Sequence, residues 1–77
     1  MSHPVAAEVD ARGLKCPLPI LKTKKALAAL ASAEVLRVLA TDPSAAGDFA
    51  AFCRQTGHAL LSEHETNGEF NFLIQKR

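Results

Sequence analysis

The residues best suited to chemistry are a cysteine and the two prolines that follow it. In Cys16-Pro17-Leu18-Pro19 a thiol stands where an alternating segment gives way to one of helical period. Proline disfavours helical geometry in the residue before it, so the helix is expected to begin after the cysteine. That makes Cys16 the N-cap, Pro17 the N1 residue and Pro19 the N3 residue, positions whose N–H groups a helix does not use. Helix N-termini favour anions, so the Cys16 thiolate is expected to be stabilised there, with help from Lys15 and Arg12. The prolines remove two of the amides that would cradle the anion and leave the Leu18 N–H. A moderately activated thiol is expected, and such a thiol remains the better nucleophile.

Cys53 reads differently. It lies between Phe52 and Arg54 on an apolar stripe, which predicts a buried structural role. The two cysteines form neither a CxxC redox pair nor a disulfide framework. His3, His58 and His64 are scattered without the spacing of metal ligands, so no metal and no cofactor are expected. There is no glycine-rich phosphate loop, and four Phe without basic interleaving make a poor nucleic-acid platform.

The chain of 77 residues has room for one domain, covering residues 1–77. A chain this short buries only about 60% of its unfolded surface, so nearly every apolar residue is needed in the core. Charged residues make up 22% and the net charge is +1, which excludes a disordered tail or a basic nucleic-acid arm. No apolar run approaches the length of a membrane span. The N-terminus lacks the pattern of a signal peptide, so a reducing cytoplasmic setting and a free thiol are expected. The small net charge hides an asymmetry. Residues 11–25 hold Arg12, Lys15, Lys22, Lys24 and Lys25 without an acid, whereas the segments on either side are net acidic. A solvated helix face is one reading of that block. The other is a docking surface for an acidic partner, built from Arg12, Lys15, Lys22 and Lys25 around Cys16.

The elements that position the thiol follow from periodicity. Val5, Ala7 and Val9 alternate with Ala6, Glu8 and Asp10, as in a half-buried strand that Gly13 ends. From Pro17 to about Ser32 the apolar stripe Ile20, Lys24, Leu27 and Ala31, joined by Leu21, Ala28 and Leu30, predicts an amphipathic helix. Residues 34–41 read as a covered strand. Asp42 or Ser44 can cap the next helix, whose inner face is Phe49, Phe52, Cys53 and Thr56 and whose stop is Gly57. Residues 59–66 and 69–75 read as a terminal hairpin. A two-residue turn at Asn67-Gly68 would pair Glu65 with Phe70 and Glu63 with Phe72, so a three-residue loop of Thr66, Asn67 and Gly68 is expected instead. It would pair Ser62 with Phe72 and Leu60 with Ile74, and place Glu63 and Glu65 beside Glu8, Asp10 and Asn71 on the open face. The order βαβαββ implies a right-handed crossover and a parallel first pair. The predicted fold is α+β, a two-layer α/β sandwich with a four-stranded mixed sheet and two helices on one face.

Asp10-Ala11-Arg12-Gly13-Leu14-Lys15-Cys16-Pro17-Leu18-Pro19 resembles the signature of the TusA/SirA-like sulfur carriers. Thr41-Asp42-Pro43 followed by Asp48-Phe49 resembles that family's second characteristic stretch, and Gly57-His58 with the hairpin also fits. The resemblance spans the chain. It implies Cys16 as the persulfide acceptor, with Asp10, Gly13, Pro17 and Pro19 supporting the motif. It also implies a cysteine desulfurase or rhodanese-like sulfur donor and a downstream acceptor protein, in tRNA thiolation, molybdenum-cofactor assembly or sulfur oxidation. Such a chain is expected to act as a monomeric carrier and not as an enzyme in its own right, without direct contact to nucleic acid or membrane. The competing readings are a regulatory or interaction domain in which CPxP is only a rigid cap, and an RNA-binding βαβαββ domain. Near-zero net charge disfavours the second, because RNA binding leans on phosphate neutralisation.

Overall fold

The computed structural model describes residues 4–77. Its elements are β1 (Val5–Ala11), α1 (Leu18–Ala28), β2 (Val35–Ala40), α2 (Ala45–Thr56), β3 (Ala59–Thr66) and β4 (Glu69–Gln75). The sheet order is β1-β2-β4-β3. β1 runs parallel to β2, as a helical crossover requires, and the β2–β4 and β4–β3 pairs are antiparallel. The fold is the predicted four-stranded mixed sheet with both helices on one face.

Alternation decides which side of each strand the helices cover. Leu36, Val38 and Ala40 of β2 pair with Ile74, Phe72 and Phe70 of β4 and form the buried floor. Ala7, Val9 and Ala11 extend that floor on β1. From α2, Phe49 stacks on Phe72 with ring centroids 4.7 Å apart, and Phe52 and Cys53 close the layer. Gly57 ends α2 in the left-handed region, φ 85°, with its N–H donating to the Cys53 carbonyl.

Three local expectations are corrected. α1 buries Pro19, Thr23 and Leu27, with Ile20, Ala26 and Leu30 partly covered, while Leu21, Lys24, Ala28 and Ala31 face outward. The helix is turned relative to the predicted stripe, which had placed a lysine inward. It also stops at Ala28, short of Ser32. Its end is held from a distance, because the Lys76 ammonium donates to the Leu27 carbonyl at 2.7 Å.

The third correction is the hairpin. Asn67 and Gly68 both have positive φ, 52° and 81°, and form a two-residue turn that pairs Thr66 with Glu69. Glu65 therefore opposes Phe70 and Glu63 opposes Phe72, as the rejected register required. Both acids stay exposed because β3 is an edge strand. A bulge between Leu60 and Ser62 absorbs one residue, so Leu60 still meets Ile74. The open face thus carries Glu8, Asp10 and Asn71 as expected, together with Arg37, Leu39 and Leu73 in place of Glu63 and Glu65.

Candidate functional site

A parallel pair of strands brings its two C-terminal ends to the same edge of the sheet. Ala11 lies beside Ala40, so the loop from β1 to α1 and the loop from β2 to α2 leave side by side. The first carries Cys16 and the second carries Thr41 and Asp42. Two bonds join them. The Gly13 N–H donates to the Thr41 hydroxyl at 2.8 Å, and the Cys16 N–H donates to the Asp42 carboxylate at 2.7 Å. Gly13 has φ 80°, a conformation that needs glycine, although the space around its α-carbon is open.

Cys16 is exposed and Cys53 is buried, as the sequence predicts. The peptide between Cys16 and Pro17 is cis. The capping geometry differs from expectation. Pro17 is the N-cap, so Leu18 is N1 and Pro19, which is buried, is N2. A turn closes ahead of the helix, with the Leu18 N–H donating to the Lys15 carbonyl at 2.9 Å. The amide expected to face the sulfur is therefore already engaged.

The electrostatics also reverse the expectation. The Cys16 thiol is pushed above its ordinary pKa by hydrogen bonding toward the carboxylate of Asp48, in the first turn of α2, then by desolvation, then by the charges of Asp48 and Asp42. A linear count of charges showed only cations near Cys16; folding brings the acids from α2 and the loop before it. Asp42 is itself held low by the N–H groups of Ser44 and Cys16, with the Lys15 charge assisting.

The predicted cations differ in their immediate surroundings. Arg12 makes a two-pronged pair with Asp10, both contacts 2.9 Å, and lies 3.5 Å from Glu69. The Arg12 hydrogen bonds lower Asp10 to about pKa 2. Lys22 and Lys25 flank a groove floored by Val9, Ala26 and Ala29 on the outer side of β1. Lys24 points to another side, near His58 and Lys76. The exposed Leu18 and Leu21, 48% and 52% accessible, lie on the same helix. Gly13, Leu14, Lys15, Thr41, Asp42 and Pro43 line a hollow of about 260 Å³ beside the cysteine loop.

Among the described residues no three His, Cys, Asp or Glu side chains gather as a metal site, and no helix is long and apolar enough to cross a membrane. His3 lies outside the described residues. The sequence offers Asp42 or Ser44 as a helix cap and Thr41, Asp42 and Asp48 as part of the family resemblance, but assigns none of them to the cysteine's surroundings. The signal was available in the parallel β1–β2 pair, which places whatever follows β2 beside whatever follows β1.

A family model described as sulfurtransferase TusA matches residues 7–76. The sulfur carrier protein TusA of Allochromatium vinosum is 55% identical over 69 residues, covering 90% of this chain and 91% of that one. The sulfur carrier protein TusA of Pseudomonas paraeruginosa is 40% identical over 77 residues, covering 100% of this chain and 98% of that one. The crystal structure of a SirA-like protein from Desulfitobacterium hafniense superposes with a TM-score of 0.79 at 30% identity, covering 90% of this chain and 95% of that one.

Proposed function

The chain belongs to the TusA family of sulfur carriers, and on that premise we propose that Cys16 is the atom that carries the sulfur. Cys16 accepts sulfane sulfur as a persulfide from a donor protein, and the acceptor's thiolate then removes the terminal sulfur. The observation that carries this reading is the contrast between the two thiols: Cys16 is exposed on a loop tied at Gly13 and Cys16, whereas Cys53 is sealed in the core. The chain serves as a carrier that relays sulfur between partners, and a partner completes the reacting site. A cysteine desulfurase or a rhodanese-like protein supplies the donor chemistry.

The rival reading, in which the motif only caps a helix, is disfavoured by α1 itself. Its N-cap is Pro17, with no side-chain capping bond, so the thiol is not spent on the helix. Incubation with a cysteine desulfurase and cysteine, followed by intact-mass and peptide analysis, tests the assignment. One added sulfur atom on Cys16, absent from Cys16→Ser and retained by Cys53→Ala, is expected. Loading on Cys53, or loading that survives in Cys16→Ser, overturns it.

A further inference from the structure

We propose that the outer edge of β1 takes up an extended, acidic segment of a partner protein as an added strand, with Lys22 and Lys25 of α1 meeting its carboxylates. The inference rests on the carrier reading only for the partner's role, since the surface itself does not include Cys16. β1 ends the sheet on one side and β3 on the other. An edge strand leaves half of its backbone N–H and C=O groups unpaired, which makes it a template for another chain. The two edges are blunted to different degrees. β3 has a bulge between Leu60 and Ser62 and carries the exposed Glu63 and Glu65, which would repel an acidic chain. In β1 the irregularity lies at the start, between Val5 and Ala7, and the run from Ala7 to Ala11 pairs one to one with Leu36 to Ala40. Among the described residues no strand lies on the outer side of that run.

Beside this edge α1 supplies a wall. Lys22 and Lys25 stand over a groove of about 480 Å³ that is floored by Val9, Ala26 and Ala29. The strand side of the groove holds Glu8 and Asp10, and both acids are already engaged. Asp10 pairs with Arg12 at 2.9 Å, and Glu8 lies 3.9 Å from Arg37. Lys22 acts on Asp10 through its charge alone, behind Arg12. The two lysines are exposed, and among the described residues neither forms an ion pair. The charge left unanswered in the groove is that of two ammonium groups, which an acidic segment complements. Alternate side chains of an added strand face α1, where their stems cross the small floor and their carboxylates reach the lysines. One helical turn before Lys25 and Lys22 stand the exposed Leu21 and Leu18, so the strip continues along α1 toward the cysteine loop.

Backbone NMR of the isotopically labelled full chain tests the proposal without any sulfur chemistry. The probe is a short, end-blocked peptide that alternates Glu with Thr, added at low salt. Saturable shifts are expected from Ala7 to Ala11 and at Lys22, Ala26 and Ala29, with slower amide exchange in β1. Two controls separate the parts of the claim. Methylating the peptide's backbone amides keeps its charges and removes its donors, and should weaken binding by about tenfold or more. Lys22→Gln with Lys25→Gln keeps the edge and removes the charges, and should weaken binding by up to about tenfold at low salt. Should that variant self-associate, a peptide with Gln in place of Glu replaces it, and the same loss is expected. Full-strength binding of the methylated peptide would show a charge contact without an added strand and would overturn the proposal. Shifts centred on β3, or undiminished binding once the charges are removed, would do the same. The absence of saturable binding would also refute it, and would leave the lysines as guards of a bare edge. None of these outcomes bears on whether Cys16 loads with sulfur, so the carrier reading stands or falls separately.

Discussion

The backbone N–H of Cys16 is held by the carboxylate of Asp42 at 2.7 Å, although the two residues lie 26 positions apart. The same Asp42 also takes the Ser44 N–H, so one side chain fixes both the cysteine loop and the entry to α2. This is how a sulfur exposed to solvent keeps a defined position. The thiol is presented by the β1–α1 loop, but its place is set by the loop after β2.

Untying that loop should loosen it without melting the sheet. Asp42→Ala removes the acceptor for two N–H groups, and Thr41→Val removes the acceptor for Gly13. Both changes should lower stability modestly, Asp42→Ala the more because it removes a charged acceptor from two N–H groups and Thr41→Val a neutral one from a single N–H. Denaturant melts should shift in midpoint and keep their slope. Amide exchange should quicken at Gly13 and Cys16 while Phe72 remains protected. Equal acceleration at all three sites would show that these bonds support the whole fold and not the loop.

The distribution of the lysines gives the docking hypothesis an internal control. Lys22 and Lys25 flank the groove beside β1, whereas Lys24 lies toward His58 and Lys76. The double change Lys22→Glu with Lys25→Glu should slow protein-to-protein sulfur transfer by about tenfold at low salt. Added salt should narrow the difference, since exposed charges are screened beyond about 8–10 Å. Lys24→Glu should leave transfer near wild type, and none of these changes should alter alkylation of Cys16. A rate that falls equally for Lys24→Glu would point to overall charge and not to this groove.

Much of this architecture is legible in the residues, and the misses share a cause. The strands are recognisable because Val5–Ala11, Val35–Ala40 and Glu69–Gln75 alternate or run apolar, and Cys16 stands out because a proline follows it. The face of α1 is not legible, because two of its three buried residues are Pro19 and Thr23, which an apolar count passes over. The hairpin register fails for a related reason. Counting assumes a regular ladder, but the chain keeps the two-residue Asn67-Gly68 turn and restores the Leu60–Ile74 pair with a bulge farther along. The electrostatics of Cys16 fail most plainly. Linear neighbours are basic, but the groups that act on the sulfur arrive by tertiary contact from Asp48 and Asp42.

Gly57 is the glycine where both conformation and space are restricted. Its φ is 85°, and a β-carbon there would stand 2.7 Å from Cδ of Arg77. Left-handed geometry costs an ordinary residue about 1–2 kcal/mol, and the Arg77 side chain must move as well. Gly57→Ala should therefore lower stability by at least about 1 kcal/mol, measured by denaturant melt. Gly57→Asn, which tolerates this conformation better, should lose less backbone energy, so an equal loss would assign the effect to the clash with Arg77.

The same end of the molecule contains a group whose protonation opposes folding. His58 Nδ1 accepts the Arg77 N–H at 3.0 Å, which requires an unprotonated nitrogen, and its ring lies 5.8 Å from that of Phe52. Burial first, then the charges of Lys76 and Arg77, hold its pKa below the ordinary 6.5. A base with a depressed folded pKa takes up its proton more readily in the unfolded chain. Its contribution to stability is complete above pH 6.5 and is lost as the pH falls through the lower folded value. Stability should accordingly decline on mild acidification, before the carboxylates titrate. NMR titration should place the His58 midpoint below 6.5. His58→Asn supplies an oxygen acceptor for the Arg77 N–H without titrating, so it should flatten the stability profile in this window. An unchanged profile in His58→Asn would locate the acid sensitivity elsewhere.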